Sequence, residues 1–175
     1  LHRFPAFTAS VCNLRPASRG RIDIRSANPE DAPLIDPNYL SDPQDLQVAV
    51  QAIRLTRKIV QAPALAAFSP REYLPGPELQ SEEQLHEAAG QIGTTIFHPV
   101  GTCRMGNGPL DVVDDQLQVH GVPGLRIADA SIMPQIVSGN TCSPTLMIAE
   151  KAAQLIIRGM LSTTWIDEKS VVPTP

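Results

Sequence analysis

TTIFHPVGTCRMG at residues 94–106 and SGNTCSPTLMIAEKAA at residues 138–153 are the two stretches on which the reading of this chain turns. Each sets a hydrogen-bonding side chain, His98 or Asn140, beside a glycine, Gly101 or Gly139, and glycine lets backbone approach a ligand closely. The second stretch also opens a helix: Ser143 and Pro144 read as its cap and first-turn proline, and Gly159 as its end. Leu146, Met147, Ile148, Ala149, Ala152, Ala153, Leu155, Ile156 and Ile157 make that helix apolar on most sides, the pattern of an element buried in a larger body.

Two further helices precede these stretches. Ser41, Asp42 and Pro43 supply a cap and a first-turn proline, and Leu46, Ala49, Ile53 and Val60 trace an apolar stripe that ends before Pro63. The acidic start (Asp42, Asp45) and basic finish (Arg54, Arg57, Lys58) suit the helix dipole and read as a solvated face. Ser81 with Gln84 forms a capping-box pattern ahead of a helix whose inward face is Leu85, Ala88 and Ile92. Before both, ASVCNLRP (9–16) and Arg21–Ile22–Asp23–Ile24–Arg25 read as two strands joined at a Ser-Arg-Gly turn, and residues 27–40 as turns. Residues 116–120 read as a strand or loop and 124–128 as a short apolar strand, with an aperiodic tail from Met160. Seventeen prolines in 175 residues, about twice the usual ~5%, fit many short elements joined by ordered turns.

Composition narrows the function. A formal net charge of −4 with no basic cluster interleaved with aromatics excludes nucleic acid as the expected partner. The longest apolar run, 146–157, is broken by Glu150, Lys151 and Gln154 and is shorter than the roughly 20 residues that cross a bilayer. Cys12, Cys103 and Cys142 have neither disulfide-framework nor zinc-site spacing, so no metal is expected and the thiols read as buried small residues in a reducing, cytoplasmic setting. A parent protein in the cytoplasm, with room for association at a membrane surface, is the expectation. The opening LHRFPAFTAS, without an initiator methionine, reads as the interior of a longer protein and not as a signal peptide.

His98 carries the chemistry most directly. Apolar Ile96 and Phe97 lead to it, Pro99 and Gly101 follow, and an imidazole with a pKa near neutrality can take the hydroxyl proton of an alcohol. His2, His86 and His120 read as surface, helix-face and loop residues without a role. Asn140 reads equally as a turn residue after Gly139 or as an amide that orients a hydroxyl. A helix N-terminus close behind it offers free N–H groups that suit an anion or a reduced cofactor ring.

With LRPASRGRIDIRS (14–26), DAPLIDPNYLSDPQDL (31–46), HPVGTCRMG (98–106), GLRIADASIMP (124–134) and NTCSPTLMIAEKAA (140–153) in this order, the chain resembles the C-terminal region of the glucose-methanol-choline oxidoreductase family, choline dehydrogenase-like members above all. The resemblance implies FAD as cofactor and a small-molecule alcohol as substrate, whose proton goes to a base and whose hydride goes to the flavin. It implies that His98 is the catalytic histidine and Asn140 its partner, a position held by histidine in other members. It also implies that Asp129 and Ala130 contact FAD and that Asn140, Thr141, Pro144 and Thr145 approach the flavin ring.

The family's nucleotide-binding G-x-G-x-x-G is missing, since Asp111 stands where the last glycine after Gly106-Asn107-Gly108 would fall. The fragment is therefore expected not to bind FAD tightly or turn over without an N-terminal FAD-binding portion of the same chain. The implied fold is α+β: residues 1–123 a substrate-side portion on a mainly antiparallel sheet flanked by helices, 124–159 a strand and helix returning to the FAD-binding domain, and 160–175 a tail. Excised, it could pair with a second copy to cover apolar surface. The alternative is a non-catalytic binding or assembly module derived from such an enzyme.

Overall fold

The structure, a computed structural model, describes residues 2–167, with side chains through 160. Its class is α+β, and it divides into two compact units, one ending at Ile96 and one starting at Phe97. The first unit contains β1 (Arg21–Asp23), β2 (Leu34–Asp36), α1 (Pro43–Val60), a 3₁₀ segment at Pro63–Phe68 and α2 (Glu82–Ile92).

The strands pair differently from the expectation. β1 is antiparallel to β2, with Ile22 opposite Ile35, whereas ASVCNLRP forms no strand and the region read as turns supplies the partner. A three-residue strand between Pro33 and Pro37 leaves too short a period to distinguish from a turn. All six strand residues are exposed, so this ribbon adds little core.

α1 begins as expected: Asp42 accepts from the N–H of Gln44 at 2.8 Å with Pro43 in the first turn. Asp45, however, is not on a solvated face. It is 4% exposed and its carboxylate accepts from Asn13 Nδ2 at 3.0 Å, Ala17 N at 2.9 Å and Ser18 N at 2.8 Å. Burial alone pushes this carboxyl up; the Ser18 hydroxyl, the Ala17 and Ser18 N–H groups and the nearby Arg19 outweigh it and hold the pKa below its ordinary value. Asp45 thereby anchors the irregular segment 13–18, which has no sheet to hold it.

Arg57 is likewise engaged, pairing with Glu72 and donating to the carbonyls of Leu79 and Gly76, each at 2.9 Å. α2 carries the capping box as read, with Ser81 accepting from Gln84 N and the Gln84 side chain accepting from Ser81 N. α1 packs on α2, and Val50, Leu85, Ala88 and Ala89 are buried. Ile92 is exposed because it occupies the last residue of α2, beyond the reach of α1's buried face.

The second unit holds a tighter core of Val113, Leu117, Ile132, Met133, Ile148 and Ala152, with Val100, Met105 and Ile127 packed against it. Burying each large aliphatic side chain contributes about 1.5–3 kcal/mol. Isolated bridges join Met105 to Val113, Val113 to Val119 and Gln118 to Arg126; the last is all that forms of the strand expected at 124–128, which Gly124 enters at φ +82°. A 3₁₀ turn, Ala130–Ile132, leads on to α3, Cys142–Asp167.

α3 corrects three expectations. Thr141 O accepts from Thr145 N at 3.0 Å, so the helix starts at Cys142, and Ser143 lies inside the first turn instead of capping it. Gly159 does not end it, because one glycine inside a long helix costs only about 1 kcal/mol. The tail from Met160 is helical as far as Asp167, and the rest of it lies outside the described residues. Among the described residues no helix is long and apolar enough to cross a membrane.

Candidate active site

Two segments of the second unit converge. His98 is half-buried, and its Nδ1 lies 2.8 Å from Oγ1 of Thr141, 43 positions later. Thr141 is only 8% exposed, so the contact is shielded from water. His98 follows Phe97, whose φ of +63° is an outlier for a bulky side chain and whose ring is 81% exposed. Left-handed backbone at a non-glycine residue is a form of strain that persists only where the surroundings enforce it. Gly101, at φ +89°, then lets the chain pass Met133: a Cβ there would stand 3.3 Å from the Met133 carbonyl oxygen.

The loop after His98 is locked to the segment before α3. Cys103 N donates to Ser131 O at 3.0 Å and Met105 N to Ile132 O at 2.8 Å. Arg104 grips Asp111, whose other oxygen accepts from Gly108 N at 2.6 Å. Hydrogen bonding to Arg104 and to the Gly108 N–H holds the Asp111 carboxyl below its ordinary range. The Gly106-Asn107-Gly108 string is thus a loop closed on its own carboxylate, with His120 Nε2 2.9 Å from Gly106 O, and its N–H groups are not arranged as a phosphate cradle.

The other predicted residues fall as follows. Asn140 is exposed, and a Cβ added at the preceding Gly139 would meet nothing within 4 Å, so the backbone there borders open space. Asp129 is exposed and caps the 3₁₀ turn, accepting from Ser131 N at 2.8 Å; Ala130 packs against the core. Pro144 and Thr145 are half-buried in the first turn of α3, where Thr145 Oγ1 donates to Thr141 O at 2.7 Å. Cys12 and Cys142 are exposed and Cys103 half-buried, all free, contrary to the reading of the thiols as buried fillers: Cys142 sits at the helix start, where packing on the core has not begun.

This donor set has a definite chemistry. The first N–H groups of a helix lack intrahelical acceptors and carry partial positive charge; those of Cys142 and Ser143 open α3, directly after Asn140 and Thr141 in the chain. A planar, electron-rich ring with carbonyl oxygens fits such donors. The contact between Thr141 and His98 had no sequence signal, since nothing in either local stretch records a partner across the gap.

A family model described as GMC oxidoreductase matches residues 16–149. An alcohol dehydrogenase [acceptor] of Pseudomonas putida is 51% identical over 152 residues, covering 87% of this chain and 28% of that protein. An oxygen-dependent choline dehydrogenase of Escherichia coli is 47% identical over 150 residues, covering 86% of this chain and 27% of that protein. An FAD-dependent oxidoreductase from Chaetomium thermophilum superimposes with a TM-score of 0.79 at 35% identity, over 84% of this chain and 26% of that structure. The chain thus spans about a quarter of the length of the relatives it matches.

Proposed function

Because the chain belongs to the GMC oxidoreductase family, we propose that it is the C-terminal part of a flavin-dependent enzyme that oxidises a primary alcohol to an aldehyde, choline or a related alcohol being the substrate class. The observation that carries this reading is the position of His98, its Nδ1 occupied by Thr141 at 2.8 Å and its Nε2 left for a substrate.

In the proposed mechanism His98 Nε2 takes the hydroxyl proton of the alcohol, and Asn140 donates its amide N–H to the same oxygen as it gains charge. FAD, when bound, supplies the two-electron acceptor for the hydride that leaves the carbinol carbon. The N–H groups of Cys142 and Ser143 at the start of α3, with Asn140, Thr141, Pro144 and Thr145, form the wall toward the flavin, and Asp129 and Ala130 form a second contact. Exposed Phe97 borders the position of the substrate, and an aromatic face suits a quaternary ammonium.

An N-terminal FAD-binding portion of the same protein completes the site in this reading, and the segment 124–159 returns to it. The exposed Leu146, Met147 and Ile157 of α3 support such a covering partner, whose place a second copy could take in an isolated fragment. Free cysteines suit the cytoplasm. The test is the flavin absorbance of the full-length protein during anaerobic addition of primary alcohols, choline among them. Bleaching is expected; a full-length protein without flavin overturns the reading.

A further inference from the structure

Thr141 enters the reading above only as part of the wall toward the flavin, yet its hydroxyl is directed at a ring nitrogen of His98. Resting on the assignment of His98 as the base, we propose that Thr141 is the positioning residue for that base: its Oγ1 accepts the Nδ1–H of His98 and so holds the imidazole in the tautomer whose Nε2 is unprotonated and open to the substrate hydroxyl.

Four observations support it. The separation of 2.8 Å is a full hydrogen bond, and with Thr141 8% exposed water competes poorly for it. The Thr141 backbone is fixed, because its carbonyl accepts both the N–H of Thr145 at 3.0 Å and the Thr145 hydroxyl at 2.7 Å. A β-branched side chain on a fixed backbone has few rotamers to choose from. The hydroxyl also has fewer rivals for its bond: a threonine preceding a helix can bond the N–H of the second or third helical residue, and here the third is Pro144, which has none, leaving only that of Ser143 to compete with His98.

The direction of the bond decides the chemistry. Which ring nitrogen of a histidine carries the proton is set by the bond the other makes. If the threonine hydroxyl donated to Nδ1 instead, the neutral ring would carry its proton on Nε2 and could not accept another there. A base at Nε2 therefore requires Nδ1–H to donate and Thr141 to accept. Phe97 at φ +63° and Pro99 on either side restrict the backbone of His98, and the bond to Thr141 restricts the rotation of its ring.

The experiment uses the full-length, FAD-loaded protein with ¹⁵N-labelled histidine, the His98 signals being those absent from His98→Ala. Long-range proton–nitrogen spectra are expected to show Nδ1 protonated and Nε2 not; the reverse overturns the proposal without reference to turnover. Thr141→Val removes the hydroxyl at nearly constant volume, and is expected to lower the rate of flavin reduction by about 10- to 100-fold, the scale on which a histidine's supporting partner acts. Its substrate affinity and FAD content stay within a few-fold of wild type, the pH profile of reduction moves, and Thr141→Ser restores both rate and profile. Equal damage in Thr141→Val and Thr141→Ser, or none in Thr141→Val, overturns the proposal. If His98→Ala itself reduces flavin at the wild-type rate, the base assignment falls; if His98→Ala is impaired and Thr141→Val is not, the positioning role alone falls. Should Thr141→Val fail to fold, the tautomer in wild type and in Thr141→Ser still decides.

Discussion

Arg57 grips Glu72 through two parallel hydrogen bonds, Nε to Oε2 at 2.9 Å and Nη2 to Oε1 at 2.8 Å, with side chains only 15% and 22% exposed. The same guanidinium reaches the carbonyls of Gly76 and Leu79, and Glu72 Oε1 accepts from Gly76 N at 3.1 Å. One side chain of α1 thus organises the segment that leads into α2. Arg57→Ala leaves a half-buried carboxylate and two carbonyls without their donor, and is expected to cost about 3 kcal/mol, the low end for a broken buried pair. Arg57→Lys restores the charge but not the fork, and recovers less than half of that. Denaturant titration of the purified protein measures both; a loss below about 0.5 kcal/mol in Arg57→Ala would rank the pair with ordinary surface ion pairs.

Asp45 makes the stability of the protein depend on acid. Its pKa in the fold lies below the ordinary 3.8, so its stabilising contribution is fully present above that value and is lost as pH falls through the lower, folded-state one. Asp45→Asn should be less stable than wild type at neutral pH, because the amide brings an N–H₂ group against the N–H groups of Ala17 and Ser18. Below about pH 4 the wild type loses this advantage and the two stability curves converge. Thermal midpoints from pH 7 to pH 2.5 test this, and parallel curves across that range would rule out Asp45 as the group responsible.

The contrast between Asp45 and Ser81 marks how far the sequence could be read. Ser81 and Gln84 close their capping box within four residues, so residue type and spacing carried the whole signal. The acidic start of α1 matched the helix dipole equally locally, but the partners that bury Asp45 come from residues 13–18, and no periodicity records them. The pairing of β1 with β2 was hidden for a related reason: Leu34–Asp36 sits among prolines and is too short to show alternation. At the candidate site, His98 and the start of α3 were legible as motifs. That Thr141, and not only its neighbour Asn140, faces the histidine follows from where α3 begins, two residues earlier than a cap at Ser143 would place it.

Gly101 and Gly90 should respond in opposite directions to the same substitution. Gly101 has φ +89° and a Cβ there would press on the Met133 carbonyl oxygen at 3.3 Å; Gly101→Ala is expected to destabilise by about 1–2 kcal/mol through the left-handed backbone alone. Gly90 lies within α2 with nothing within 4 Å of a built Cβ, so Gly90→Ala should stabilise by roughly 0.5–1 kcal/mol. Thermal midpoints of the two variants on one preparation give the comparison. A tolerated alanine at position 101 would mean that the loop following His98 can relax, and would remove the argument that it holds the histidine rigidly.

His98 and Asn140 occupy different environments, and their variants should separate base from orienting group. His98 is half-buried and bonded to Thr141; its replacement by alanine removes the only ring nitrogen placed to take the substrate proton in the proposed mechanism. General-base loss costs roughly 10²–10⁴ in rate, so His98→Ala in the full-length protein is expected to slow anaerobic flavin reduction at least a hundredfold while FAD stays bound. Asn140 is exposed beside the start of α3, and Asn140→Ala removes one donor to the substrate oxygen while leaving the helix N–H groups in place. Reduction should therefore slow by less than in His98→Ala, with FAD content unchanged. Stopped-flow reduction and the flavin-to-protein absorbance ratio read the two effects separately. Unchanged reduction in His98→Ala would remove it from the chemistry, and loss of FAD in Asn140→Ala would leave that residue its place in the wall toward the flavin and take away its role at the substrate oxygen.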